Sequence, residues 1–263
     1  MWIGLPPALG TGDSADLQVI GSARYAGTGA QVLVSDDLDG DGSQDLLINE
    51  PSNSDLATWG AAVFIVSIEE RGVLQLSSDS LALRGSTDYT EIRRTSTADL
   101  NGDGHTDLLL GAAVNAQAFD RGGMAWVVPG PIAESGVVES LASATIAPEG
   151  PDEALGYDLT SPGDLDGDGL PDLALSVPRD AVTGEDLPGK VYLFPGTILG
   201  SHSGADAAMV LQGENFGDLA GTGLAGGFDA DGDGRDDLAI GAPHNDAGGD
   251  QAGRVYLFTD LAF

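Results

Sequence analysis

Residues 37–45 read DLDGDGSQD, and the same nine-residue pattern returns at 99–107 (DLNGDGHTD), 164–172 (DLDGDGLPD) and 229–237 (DADGDGRDD). The four starts lie 62, 65 and 65 residues apart. A fixed period of this length marks a tandem array of one supersecondary unit. Working outward, each acidic stretch leads into a short apolar run that ends in turn residues: LLINEP (46–51), LLLGAA (108–113), LALSVP (173–178) and LAIGAP (238–243). A polar loop and a second run follow: AAVFIV (61–66), GMAWVV (123–128), GKVYLF (189–194) and GRVYLF (253–258). These runs are rich in β-branched and aromatic residues and have strand length. Weaker segments at 81–84, 144–147 and 209–212 read as fourth strands, and QVLVS (31–35) reads as a first strand before the first acidic loop. A four-stranded sheet of some 65 residues cannot bury both of its faces alone, whereas sheets stacked around an axis can.

The expected fold is therefore all-β: a single β-propeller-type domain over 1–263, built of four-stranded blades. The units fall at approximately 25–86, 87–151, 152–214 and 215–263, the last incomplete, with 1–24 as the end of a preceding blade. Within that first segment MWIGLP (1–6) resembles a third strand and LQVI (17–20) a fourth. The ends are out of phase with the unit, which points to part of a larger propeller or array.

The acidic loops have the chemistry of a calcium site. Calcium takes six to eight oxygen ligands, many from carboxylates and backbone carbonyls. Alternate residues of a tightly curled hairpin can converge. The expected ligands are Asp37, Asp39, Asp41, Ser43 and Asp45; Asp99, Asn101, Asp103, His105 and Asp107; Asp164, Asp166, Asp168, Leu170 and Asp172; and Asp229, Asp231, Asp233, Arg235 and Asp237. The seventh position varies between Ser, His, Leu and Arg, as suits a residue that offers only its carbonyl. Glycine at the sixth position frees the backbone for the turn. An EF-hand loop requires Glu at position twelve. Here that place holds Ile48, Leu110, Leu175 and Ile240, so the ninth Asp must close the cage. About four Ca²⁺ are expected, one per repeat, with the weakest affinity in the second loop, where Asn101 removes one negative charge.

Charge and composition narrow the functional classes. The chain has 263 residues, 42 acidic against 10 basic, and a net charge of −32, which disfavours nucleic acid and anionic lipid. There is no Cys, hence no disulfide or thiolate chemistry. No apolar run reaches eighteen residues, and no secretory signal is visible in this segment. His105, His202 and His244 do not recur between units, and no nucleophile–base pair or phosphate-binding loop is evident, so no catalytic residue is assigned. The connections 52–59, 115–121, 179–188 and 244–252 vary while the framework repeats, the pattern of recognition loops on a rigid scaffold. Trp59, Tyr89 and Phe119 are candidate contact aromatics.

From about residue 15 onward the chain resembles the FG-GAP repeat, the blade of the integrin α-subunit propeller. The second half of that motif is literal at Gly241-Ala242-Pro243 and degraded at Gly111-Ala112-Ala113 and Ser176-Val177-Pro178. The first half is present at Phe216-Gly217 and loosely at Leu155-Gly156. The first unit departs most, with Tyr25-Ala26 and Asn49-Glu50-Pro51 in the equivalent places. The resemblance implies a normally seven-bladed propeller with structural calcium in the hairpin between the first two strands of each blade, on the face opposite the ligand surface. It implies an extracellular or cell-surface adhesion or recognition module that binds a protein or glycan and does not insert into a membrane. The alternative is a non-catalytic accessory domain of a larger secreted hydrolase or lyase.

Overall fold

The computed structural model describes residues 15–53, 60–78, 80–87, 90–115, 117–118, 121–178, 188–261 and 263. The resemblance of residues 1–6 to a third strand therefore falls outside the described part, as do Trp59, Tyr89 and Phe119.

The described chain is almost entirely strand. It opens with β1 (Leu17–Ile20), β2 (Val32–Ser35), β3 (Asp45–Glu50), β4 (Ala62–Ser67), β5 (Gly72–Gln75) and β6 (Ala82–Arg84). The next unit holds β7 (Arg94–Ala98), β8 (Asp107–Ala112), β9 (Met124–Val128), β10 (Gly136–Val137), a one-turn helix α1 (Val138–Leu141) and β11 (Ala144–Ala147). Then come β12 (Leu159–Gly163), β13 (Asp172–Val177), β14 (Lys190–Phe194), β15 (Gly200–Ser203) and β16 (Met209–Gln212). The last are β17 (Gly223–Phe228), β18 (Asp237–Ala242) and β19 (Arg254–Phe258).

Antiparallel meanders β2-β3-β4-β6, β7-β8-β9-β11 and β12-β13-β14-β16 form three four-stranded blades, and β17-β18-β19 form a three-stranded one. Among the described residues the strands read from sequence are present, most of them within a residue of their expected bounds. The first strands of successive blades, β2, β7, β12 and β17, pack side by side.

The sequence reading did not include the short strands β5, β10 and β15. Each lies in the connection between the third and fourth strands of its unit and pairs in parallel with the fourth strand of the unit before. β5 pairs with β1, β10 with β6 and β15 with β11. β1 thus pairs as the fourth strands β6 and β11 do, with a short strand of the following unit.

The core consists of layers between blades. Leu47, Val63, Ile65 and Leu83 of the first blade meet Leu108, Leu110, Trp126 and Val128 of the second. Leu109, Ala125 and Val127 meet Leu173, Leu175, Tyr192 and Phe194 of the third. Alternate residues along β9 (Trp126 one way, Val127 the other) therefore bury in opposite layers, as the period of two requires. Apolar residues on both faces explain why the second and third strands read as continuous hydrophobic runs. Glycine before a third strand has a specific cause: a Cβ on Gly123 would sit 2.2 Å from the Leu155 carbonyl oxygen, and one on Gly189 2.2 Å from that of Ala220. At these points the loop of one blade meets the backbone that enters the next.

Candidate metal centre and the opposite face

All four acidic stretches form the hairpin between the first and second strands of a blade, at the same end of each. A repeated ladder of side-chain-to-backbone hydrogen bonds shapes them. The carboxylate at position one accepts the amides of positions four and six: Gly40 and Gly42 on Asp37, Gly102 and Gly104 on Asp99, Gly167 and Gly169 on Asp164, Gly232 and Gly234 on Asp229. Position three accepts the amide of position five, and position five that of position seven, as in Asp41 onto Asp39 (3.0 Å) and Ser43 onto Asp41 (2.7 Å). Short polar side chains favour such local turns. The two glycines of each hairpin have positive φ, for example 86° at Gly40 and 91° at Gly42.

Position nine opens the second strand and is buried in every hairpin: Asp45 0%, Asp107 1%, Asp172 0% and Asp237 0% exposed. Its Oδ2 accepts the amide of position two, from Leu38 (2.8 Å), Leu100 (3.0 Å), Leu165 (2.8 Å) and Ala230 (2.5 Å). Leu38, Leu100 and Leu165 are buried in their own right and anchor the hairpin to the core. That recurrent Leu was visible in the sequence as an apolar residue fixed within an acidic motif. In hairpins one, three and four, Oδ1 of Asp45, Asp172 and Asp237 has no hydrogen-bond partner. A buried carboxylate oxygen without a donor is costly. Burial raises Asp172 to about 6, with Asp166 and Asp164 adding to the rise, and burial likewise raises Asp45.

Three hairpins bring one oxygen from each of three carboxylates within 4.8 Å of one another: Asp37, Asp39 and Asp41; Asp164, Asp166 and Asp172; Asp229, Asp231 and Asp237. The last hairpin has a neighbour that the sequence reading missed, Asp260, which groups with Asp231 and Asp233 and also faces Arg235 at 3.5 Å. Among the described residues, the second hairpin forms no such group. Side chains at position seven are not all idle. A Cβ on Gly102 would lie 2.7 Å from Leu170, so the third hairpin leans on the second.

The other end of the blades carries a second recurring feature. Asn53, Asn115 and Asn245 each lie eight residues after the ninth-position Asp and are buried. Asn53 donates to Glu50 and Ser22, both at 2.9 Å, Asn115 approaches Thr87 and Thr90, and Asn245 donates to Asp218 at 2.8 Å. Each asparagine thereby ties the loop after the second strand to the segment that enters the blade. Glu50 also accepts from Ser22 and Thr28. Burial would raise Glu50, yet the bonds from Ser22, Asn53 and Thr28 outweigh it and hold the carboxyl below its usual 4.5.

Of the nine Lys and Arg among the described residues, seven (all but Arg71 and Arg235) lie at this end, away from the hairpins. Here a cleft of about 490 Å³ between the first three blades is lined by Glu91, Arg93, Arg94, Ala113, Val114 and Tyr157, among others. Glu91 pairs with Arg93, and Asp158 with Arg94 at 3.3 Å. His244 is exposed on this end, His105 is exposed in the second hairpin, and the ring of His202 contacts the Leu199 carbonyl at 2.9 Å.

Successive antiparallel blades, each with an acidic hairpin at one end, and three of them with a described, tethered loop at the other, define a tandem-blade, propeller-type protein. The FG-GAP repeat family matches residues 93–128, 156–194 and 220–258. The chain carries FG-GAP repeats and resembles the integrin α-subunit propeller. It is 34% identical over 149 residues to integrin alpha-4 of Xenopus laevis (55% of this chain, 14% of that protein). It is 29% identical over 231 residues to integrin alpha-PS2 of Drosophila melanogaster (81% and 15%). A phosphatidylinositol-glycan-specific phospholipase D of Mus musculus is 28% identical over 208 residues (74% and 24%). The chain thus spans less than a quarter of the length of these relatives.

Proposed function

We propose that this chain is a non-enzymatic, calcium-binding propeller module for extracellular adhesion or ligand recognition. Structural Ca²⁺ would occupy the acidic hairpins, and a protein or glycan would be taken at the opposite end. The observation that carries the cation reading is the unpartnered, buried Oδ1 of Asp45, Asp172 and Asp237 beside further carboxylates. Clustered like charges at such distances repel unless a cation compensates them. The donor set is all oxygen and includes up to four side chains and a carbonyl, which suits calcium better than magnesium with its retained waters. The ions would brace the hairpins and take no part in a reaction.

The recognition half of the proposal draws on a repeated framework whose loops differ at the end remote from the hairpins, and on the cleft beside Arg93, Arg94 and Tyr157. Integrin relatives favour adhesion at the cell surface. The phospholipase D relative favours a second reading, an accessory domain of a larger secreted enzyme. Affinity capture with and without Ca²⁺ separates the two. A retained partner that is lost on Arg93→Ala supports recognition. Hydrolase or lyase activity found only with a neighbouring domain favours the second. The cation reading itself fails if the melting temperature is indifferent to chelator.

A further inference from the structure

We propose that the four hairpins are not equivalent: the first, third and fourth are cation sites, while the second is a clasp that its own protein donors have already closed. This inference rests on the calcium reading above and divides its sites. The contrast lies in one oxygen. Asp45, Asp172 and Asp237 each leave Oδ1 buried and unpartnered. Oδ1 of Asp107 instead accepts the Gly130 amide at 3.0 Å and faces the Asn101 side-chain amide at 3.4 Å, while its Oδ2 accepts Leu100. Two protein N–H groups thus point at the oxygen that is free elsewhere.

Asn101 has two consequences. It removes a carboxylate from the cage, and its amide supplies a donor where a cation would sit. Among the described residues the second hairpin accordingly lacks the three-carboxylate group present in the other three. Gly130 is built for this contact. A Cβ there would meet the Thr106 carbonyl oxygen at 2.2 Å, so only glycine brings its amide so close to the hairpin. Gly196 in the third blade approaches the Pro171 carbonyl in the same way, yet Asp172 keeps its orphaned oxygen. The close approach is therefore shared between blades, whereas the closed carboxylate is peculiar to the second. In this blade the hydrogen bond to Gly130 fastens the hairpin to the connection after β9, and it does so without an ion.

The test is a Ca²⁺ titration of the whole chain by calorimetry, with the ion alone as probe. Three sites are expected, with any fourth weaker by at least about tenfold, as the loss of ligand charge dictates. Asp172→Asn should lower the count of tight sites to two, whereas Asp107→Asn should leave it at three. Asn101→Asp, which restores the carboxylate and removes the amide donor, should raise it to four. Four equivalent sites in the unaltered chain, or a tight site lost with Asp107→Asn, would overturn the division while the calcium reading survived. No binding at all would overturn the calcium reading and this inference with it. Circular dichroism of each variant in saturating Ca²⁺ shows whether it is folded, and the count in the unaltered chain decides the matter independently of every variant.

Discussion

At the residue scale, buried polar atoms do two jobs in this molecule, and the difference lies in who satisfies them. Asn245 satisfies Asp218 and holds the loop after β18 through the Ala247 amide at 3.0 Å. Asn245→Ala would remove one donor from the buried Asp218 carboxylate, whose Oδ2 keeps the Asn215 amide at 3.0 Å, so a loss of about 1–3 kcal/mol is expected from chemical denaturation at saturating Ca²⁺. Glu50 permits a pH test. Its folded carboxyl titrates below 4.5, so it binds a proton less readily folded than unfolded. Its contribution to stability is complete above pH 4.5 and is lost as the pH falls through the folded value. Glu50→Gln should therefore lower the melting temperature at pH 7, and the gap to the unaltered chain should narrow as the pH falls below 4.5 through the folded value. A gap independent of pH would mean that packing, rather than ionisation, is what Glu50 supplies. These asparagines recur at a fixed offset from the ninth-position Asp, so they were legible. They escaped the reading because a lone Asn in a loop usually signals a turn, and only the tertiary pairing reveals its partner.

At the element scale, the hairpin is held by conformation as much as by charge. Gly234 has φ of 93° and no atom within 4 Å of a would-be Cβ, so Gly234→Ala tests backbone strain alone. A cost of about 1–2 kcal/mol is expected, with Ca²⁺ affinity reduced as the cage loosens. Isothermal titration would read both. The strands themselves were legible because two buried faces give unbroken apolar runs, as in β4 and β9. Residues 72–75 (GVLQ) and 200–203 (GSHS) were not. β5 and β15 are short, with few apolar residues, and hold their place through a neighbouring unit's fourth strand, a relation that no local pattern encodes. The acidic hairpins were legible for the opposite reason: their spacing is set by chemistry within nine residues. Their inequality was only half legible. Asn101 led to the expectation of a weaker second site, but the Gly130 amide bound to Asp107 comes from 23 residues away. Between elements, Trp126 fills the layer shared by the first two blades and is 1% exposed. Trp126→Ala should cost about 3–5 kcal/mol, measured by denaturant unfolding, and should loosen both blades together.

At the scale of the whole molecule, the decisive quantity is where the charge lies. The net charge is −32, and the four hairpins concentrate sixteen carboxylates (four in the first and third, three in the second, five in the fourth) at one end of the blades. Most of the described cations lie at the other end. Without a divalent ion that end repels itself, which opposes the compact state. Three bound Ca²⁺ would bring −32 to −26, a modest change in the total but a large one where the carboxylates converge. Stabilisation should follow mass action: at a free concentration one hundred times the dissociation constant, each site adds about 2.7 kcal/mol. Monovalent salt separates this specific effect from general screening. At about 0.1 M the screening length is about 10 Å, short enough to weaken repulsion between hairpins but too long to replace an ion within a cage. In chelator, raising NaCl well above that level should lift the melting temperature substantially. In saturating Ca²⁺ the same addition should change it little. Equal salt responses in the two states would mean that the hairpin carboxylates are already neutralised in the folded chain, by protons or by one another's hydrogen bonds, and the electrostatic account of the array would have to be abandoned.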